Sequence, residues 1–532
     1  MRAKRRGSVA HRRFEGLVLS AGSVRDYARA RGALRRAGLG RWKVRPLGPG
    51  SVDLFASPPR GARVSIAQAW DLAYRLRADR DVERAEPAFE TVGHDAGRMR
   101  APSDRRSVRG SLLEDRHLPE SDPHDWALGM CRVREAWAGA STPGGRGVVV
   151  AHADTGYTDH PQLDAGALRL DLGHNFVEEN SNPEDPLQGF SPGHGTATGS
   201  VLVSAVDAEV TGVAPEAMIV PLRVNDSVVH FSWRRLCAAL YWAFDRKLHV
   251  ASLSLGGPWG GSGALEEAVR QATGHGVILV AAAGNHWPSV VYPACFPEVV
   301  AVAACNALHE PWSGTSAGPE VDITAPGESV WRAKTSANGK YAVERSSGTS
   351  YAAATVAGLC ALWIAHKGGF DLLETQYGSA GVGGVFKEAL QASVYPPQGW
   401  DGENMGPGIA LADKLLAHPL PASAPARGTR IASRRRAAPG AWERIEGFFP
   451  EAAPDRIRGA LLSAFMPAVR RASARMDPVL DELHFHIATD PSLRTALGTR
   501  LARGRRAARA ARPVRFAFAG ASPQFRRMLA AY

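Results

Sequence analysis

At 532 residues and 45% hydrophobic, the chain can bury a sizeable core and is long enough for about two to four domains, which excludes a small module held by disulfides or a metal. A net charge of +12 raises nucleic acid as a partner. However, 56 of the 64 basic residues are Arg and only 8 are Lys, beside abundant Ala and Gly; a GC-rich genome produces that bias unaided, so nucleic acid is not expected. The five cysteines (Cys131, Cys237, Cys295, Cys305 and Cys360) are odd in number, sit in mostly apolar surroundings and show no C-x-x-C spacing. They read as buried free thiols, not as a disulfide framework or a zinc site.

Residues 1–12 form a basic tail, with six Arg or Lys in the first 13 positions. The stretch that follows, Phe14-Glu-Gly-Leu-Val-Leu-Ser-Ala, is short and carries an acid, so it is no apolar core of a secretion signal. No run approaches the roughly 18 apolar residues of a membrane span. The expectation is a cytoplasmic protein, with export by another route or a misplaced start codon as the alternatives.

Residues 13–92 carry a small α+β pattern. Phe14–Leu19 reads as a strand and Ser23–Arg36 as an Arg-rich helix opened by a Ser cap. Trp42–Leu47 and Ser51–Ala56 read as a hairpin around Gly48-Pro49-Gly50. Ser65–Ala78 places Ile66, Ala69, Trp70, Ala73 and Leu76 on one helical face, and Val82–Val92 closes as a strand. The order βαββαβ predicts a split-βαβ fold. Residues 93–125 are a polar, Arg-dotted linker that cannot bury enough apolar surface to order itself.

Between 126 and 418 three segments occur in the order Asp, His, Ser: Ala153-Asp154-Thr155-Gly156, Gly193-His194-Gly195-Thr196 and Gly348-Thr349-Ser350. A serine hydroxyl is a poor nucleophile at neutral pH; it needs an imidazole to take its proton, and that imidazole needs a carboxylate to hold its tautomer. Each segment alone is an ordinary turn. Together, in this order, they outline a catalytic triad. Asp154 ends the apolar run Gly147-Val-Val-Val-Ala-His-Ala, as a buried parallel strand delivers a side chain to the carboxyl edge of a sheet. Ser350 opens a run of small residues, Tyr351-Ala-Ala-Ala-Thr-Val-Ala-Gly358, which suits a helix through the interior with the serine at its N-terminus.

These segments, with Gly212-Val-Ala-Pro215, Ser252-Leu-Ser-Leu-Gly256, Val280-Ala-Ala-Ala-Gly-Asn285, Tyr292-Pro-Ala294 and Ala325-Pro-Gly327 between them, resemble the subtilisin-like serine proteases over roughly 126–418. The resemblance implies a doubly wound α/β domain with a mainly parallel sheet, and peptide-bond hydrolysis through an acyl-enzyme. Asp154, His194 and Ser350 would be its catalytic residues and Asn285 its side-chain oxyanion donor. The substrate would be an extended polypeptide between rims at Ser252–Gly256 and Ala281–Gly284, so Ser254, Leu255, Gly256, Ala282, Ala283 and Gly284 are the substrate-binding candidates. No cofactor is needed for this chemistry. The family often carries structural calcium, but the scattered Asp and Asn show no ligand spacing.

Residues 13–92 also resemble the family's propeptide, which folds the catalytic domain and then blocks its cleft; the linker 93–125 would be the place of self-cleavage. The chain departs from the family pattern in three places. Tyr351 stands where the best-known members carry Met, Ala354-Thr355 replaces Pro-His, and Ala197-Thr198 replaces His-Val. None removes a proton-transfer group.

After a Pro/Ala/Arg linker at 419–440, residues 441–532 read as a helical region. Asp455–Arg475 has helical spacing broken by Pro467, and Asp490–Arg509 is a helix capped by Asp490-Pro491. His484 and His486 would not share a helix face, so no metal site is expected there. The Arg run from Arg500 to Arg512 reads as a solvated face; the role of the region stays open, an interaction module that binds a protein partner and localises the protease being one reading. Two other readings stay open: a latent protease or binding scaffold in a signalling complex, and the acid-active serine-carboxyl peptidases of the same fold, which lack the His-Gly-Thr segment.

Overall fold

The computed structural model describes residues 13–20, 27–90, 124–189, 191–229, 233–260, 263–336, 338–424, 441–449 and 477–502, and parts of 452–461 and 521–526. The basic tail, the Ser23 cap, nearly all of the 93–125 linker, most of the 419–440 linker, most of Asp455–Arg475 and the Arg run beyond Ala502 lie outside the described residues. The chain forms two compact units. One gathers residues 1–47, 52–102 and 451–532, and the other 48–51 and 103–450.

In the first unit, β1 (Arg13–Ser20), β2 (Lys43–Pro46), β3 (Leu54–Ser57) and β4 (Arg84–Glu90) form a sheet of order β2-β3-β1-β4. All its pairs are antiparallel, with Leu17 opposite Ala56 on one side and Pro87 on the other. Helices Tyr27–Arg36 and Ile66–Arg77 complete the βαββαβ order. Ser65 opens the second helix with a reciprocal capping box to Gln68, which satisfies two otherwise orphaned donors. The face buried is that read from the spacing (Ala69, Trp70, Ala73, Leu76) with Leu72 added.

The C-terminal helices Asp477–Thr489 and Pro491–Ala502 share this unit's core. Phe485, fully buried, lies 5.6 Å from the Trp70 ring and 5.2 Å from Phe89. Glu482, also fully buried, accepts from the Ser522 amide at 2.7 Å and hydroxyl at 2.8 Å, and lies 3.3 Å from His486. Arg77 and Asp481 pair at 3.5 Å. His484 and His486 are both buried.

The second unit is built on nine strands: β5 (Val149–Asp154), β6 (His174–Asn175), β7 (Met218–Arg223), β8 (Val250–Leu253), β9 (Ile278–Ala282), β10 (Val300–Cys305), β11 (Ile323–Pro326), β14 (Val394–Tyr395) and β15 (Ile409–Ala410). Their order is β14-β15-β11-β10-β9-β8-β5-β7-β6, parallel except for the β14–β15 edge pair. A separate hairpin joins β12 (Val330–Thr335) to β13 (Tyr341–Ser346). The strands read as continuous Val/Ala/Leu runs because both sheet faces are covered. Helix Thr349–His366 is buried at every position from Thr349 to Ala365. It is long and apolar enough to cross a membrane, but 94% of it is buried inside the protein, so its hydrophobicity is that of a core element. Small side chains make this burial workable: a Cβ at Gly358 would lie 2.6 Å from Val213.

Candidate active site

From β5 the chain builds β6 and then β7 on one side and crosses to β8 on the other, so Asp154 ends its strand at a topological switch point, where open α/β sheets gather ligands. His194 opens the helix His194–Val203, entered through Gly193 at φ 72°. The Asp-Thr-Gly and His-Gly-Thr segments are fastened together. A Cβ at Gly195 would stand 2.0 Å from the Gly156 carbonyl, so only glycine permits the approach. The Gly195 amide donates to Thr155 Oγ1 (3.1 Å), which donates to buried Asp185 (2.6 Å). Thr196 Oγ1 accepts from the Thr158 amide at 2.8 Å.

The result is a fixed carboxylate–imidazole pair. His194 Nδ1 lies 2.8 Å from Asp154 Oδ1 and 3.0 Å from Oδ2. The Thr155 amide donates to Oδ1 (2.7 Å) and Thr198 Oγ1 to Oδ2 (3.2 Å). Burial alone would raise the Asp154 pKa. The charge and hydrogen bond of His194, together with the Thr155 amide, outweigh it, and the net direction is down. Asp154 is therefore an anion, suited to orient an imidazole and stabilise its charged form.

Ser350 stands in the first turn of helix Thr349–His366, where free amides and the helix dipole favour negative charge. Its hydroxyl donates to the Ser254 carbonyl at 3.3 Å, and Ser254 Oγ returns a bond to the Ser350 carbonyl at 2.9 Å. Among the described residues no hydrogen bond joins Ser350 to His194; such contacts often tighten only with substrate bound. Asn285 Oδ1 accepts from both the amide (2.9 Å) and the hydroxyl (2.7 Å) of Thr349. Its Nδ2 therefore remains for another acceptor. Asn285 Nδ2 and the Ser350 amide lie 3.4 and 3.8 Å from a single point, the site of an added Cβ on Gly348.

Ser254, Leu255 and Gly256 continue from β8, while Ala282 ends β9 and Ala283 and Gly284 continue from it. Five of the six are buried, Gly256 partly so. The Gly256 amide is already spent on the Val228 carbonyl at 2.9 Å, and Gly257 pairs with Tyr292 in both directions. Gly284, at φ 114°, admits no side chain: a Cβ would press on Val291 and Ser316. Tyr351 is buried among Ala127, Ala197, Val201, Val330 and Ala354.

All five cysteines are buried free thiols. No group of three or more His, Cys, Asp or Glu able to hold a metal occurs among the described residues. The donor-rich loop 175–184 spends its side chains internally. Asn175 Oδ1 takes the Val177 and Glu178 amides, Asn182 Oδ1 takes the Glu184 amide, and Glu178 pairs with Arg223. Among the described residues, these side chains of the loop are thus already engaged with its own amides and with Arg223.

Sequence reasoning passed over three contributors. Thr349 braces Asn285, Thr198 reaches Asp154, and His152 lies behind Thr198 at 3.0 Å. Spacing held the signal for the last two: His152 precedes Asp154 by two on a strand, and Thr198 follows His194 by four on a helix.

A carboxylate–imidazole pair, a serine at a helix N-terminus and convergent N–H donors define the class, a serine endopeptidase. The subtilase family matches over residues 145–376. The intracellular serine protease of Paenibacillus polymyxa is 35% identical over 226 residues, 41% of this chain and 67% of that protein. The major intracellular serine protease of Bacillus subtilis is 31% identical over 262 residues, covering 47% and 76%. Subtilisin of Bacillus pumilus is 36% identical over 225 residues, covering 41% and 77%. The chain belongs to the subtilase family. The fold of fervidolysin from Fervidobacterium pennivorans superposes with a TM-score of 0.55 at 20% identity, over 79% of this chain and 63% of that one.

Proposed function

We propose that Asp154, His194 and Ser350 are the working triad of this protease, with Asn285 Nδ2 and the Ser350 amide as its oxyanion donors. The observation that carries this reading is the Asp154–His194 pair, held at 2.8 Å at a sheet switch point. In the first half-reaction His194 Nε2 takes the Ser350 proton as Oγ bonds to the scissile carbonyl carbon. The oxygen becomes an anion against the two N–H donors. Collapse breaks the C–N bond, and His194 returns the proton to the departing amine. Water repeats the sequence on the acyl-enzyme and frees the acid. The substrate is an extended polypeptide along Ser254–Gly256 and Ala282–Gly284, and it pairs with Gly256 only by displacing the Val228 carbonyl.

Residues 13–92 form an inhibitory domain in this reading, supported by the split-βαβ sheet and by its place ahead of the catalytic domain. Cleavage falls within 93–125. The domain layout is 1–12, 13–92, 93–125, 126–418, 419–440 and 441–532. The C-terminal helices pack on Trp70 and Phe89, which supports regulation of the N-terminal domain rather than docking alone. Two relatives, the intracellular serine proteases of Paenibacillus polymyxa and Bacillus subtilis, support a cytoplasmic placement.

Intact mass and hydrolysis of a peptide amide, compared for wild type and Ser350→Ala, test the reading. Wild type cleaves the amide and is cut within 93–125, while the variant does neither. Equal hydrolysis by both proteins refutes it.

A further inference from the structure

A buried polar chain continues past the triad into the sheet. His152 precedes Asp154 by two on β5, so both side chains lie on one face of the strand. It is 2% exposed, and its Nε2 lies 3.0 Å from Thr198 Oγ1. Thr198, wholly buried, lies one helical turn beyond His194 and reaches Asp154 Oδ2 at 3.2 Å. The same hydroxyl is 3.1 Å from the His194 carbonyl and 3.3 Å from that of Gly195.

A threonine hydroxyl has one proton and here has three oxygen acceptors, with His152 Nε2 as a fourth when that nitrogen is unprotonated. Two are neutral helix carbonyls, the usual partners of a mid-helix threonine. The third is a carboxylate, which makes the stronger, charge-assisted bond. Once the proton goes to Asp154, the hydroxyl oxygen is an acceptor and His152 Nε2 must carry the hydrogen. Burial keeps His152 neutral by lowering its pKa, against the raising effect of Asp154. One donor tautomer therefore suffices. A bond accepted by the hydroxyl strengthens the bond it donates, by roughly 10–30%. His152 thus biases Thr198 away from the helix carbonyls and onto the aspartate.

We propose that His152, acting through Thr198, is a positioning residue of the triad, fixing a further donor on Asp154 Oδ2 and thereby the plane and charge of the carboxylate that His194 meets. The proposal rests on the triad assignment above. Among the described residues, Arg223 on β7 stands in register with Asp154 and is paired with Glu178 and Asp226. His194 shares the helix with Thr198. Pro221 on β7 and Ser252 on β8 lie beside His152 in register and bring no charge. Asp185 is engaged by Thr155 and the Gly193 amide, and Tyr351 brings a neutral phenol 6.5 Å from the His194 ring.

Thr198→Val removes the donor, leaves more negative charge on Asp154, and so favours imidazolium at His194. The acid limb of kcat/KM then moves to higher pH by about half a unit, and kcat falls several-fold with KM unchanged. His152→Val moves the limb the same way by less. His152→Gln, which keeps a neutral N–H donor, restores it. In a Thr198→Val background, His152→Val adds nothing. The assay is a peptide ester hydrolysed from pH 5 to 9 by unlabelled full-length proteins, with a separate aliquot of each labelled with a fluorophosphonate to count active sites. Where His152→Val fails to fold, Thr198→Val and His152→Gln carry the comparison. Labelled, folded variants whose acid limb stays at the wild-type pH overturn the proposal alone. Folded wild type that takes no label overturns the triad reading and this proposal together.

Discussion

Thr349 holds Asn285 by two bonds to one atom: its amide at 2.9 Å and its hydroxyl at 2.7 Å both end on Asn285 Oδ1. The Thr349 hydroxyl itself accepts from the Gly284 amide at 3.2 Å. Thr349, beside the proposed nucleophile Ser350, thus sets which way the Asn285 amide points.

Asn285→Ala should lower kcat about 10²–10³-fold with little change in KM, the magnitude known for this donor in subtilisin. Thr349→Val keeps the amide bond and loses only the hydroxyl, about 1 kcal/mol or a factor of five. Steady-state kinetics on one peptide amide distinguishes the two. Equal losses would contradict the brace.

Tyr351, next to the proposed nucleophile Ser350, sets how the site responds to oxidants. A phenol buried among Ala127, Ala197 and Val330 cannot form a sulfoxide. Activity should survive a peroxide exposure that inactivates the Tyr351→Met variant. Residual activity against time in peroxide measures this, and matching decay curves would refute it.

Acid should destabilise the catalytic unit in two steps. His152 and His249 have pKa values held down, first of all by burial. Below about 6.5 the unfolded chain binds protons that the native protein refuses, so their stability is intact above that pH and lost as pH falls. His152 contributes a slope of up to about 1.4 kcal/mol per pH unit. Asp154, whose pKa is also lowered, adds a loss of the same sign below about 3.9. Calorimetry from pH 7 to 5 should show a falling Tm, with a flatter fall in His152→Val.

A cut within 93–125 should leave the N-terminal domain attached. Trp70 and Phe89 share a core with Phe485, and Arg77 pairs with Asp481, so the chain holds this domain from its other end. Phe485→Ala removes a fully buried ring, worth about 3 kcal/mol or more, and should loosen that hold. Size-exclusion chromatography after cleavage at an inserted protease site reports the result. Wild type retains the 13–90 fragment and Phe485→Ala sheds part of it; equal retention would place the attachment elsewhere.

The Asp154, His194 and Ser350 segments of the proposed triad stood out in the sequence because nucleophilic chemistry restricts both residue type and flanking glycines, as at Gly156 and Gly195. The split-βαβ sheet was legible from alternation, the Gly48-Pro49-Gly50 turn and the Ser65 cap. What sequence could not supply was long-range pairing. The packing of Phe485 on Trp70 spans most of the chain, and no local period announces it. The Val228–Gly256 pairing, which occupies the expected substrate edge, lies between two loops. His152 read as one more residue of an apolar strand because only a helix beyond it supplies its partner, Thr198.

The most direct measurement is the mass and position of a fluorophosphonate adduct on the folded full-length protein, with Ser350→Ala beside it. One adduct, mapped to Ser350 and abolished by the substitution, is the result expected from a nucleophile at this helix N-terminus with Asp154–His194 behind it. A folded protein with no adduct, or with the adduct on another residue, would contradict the account.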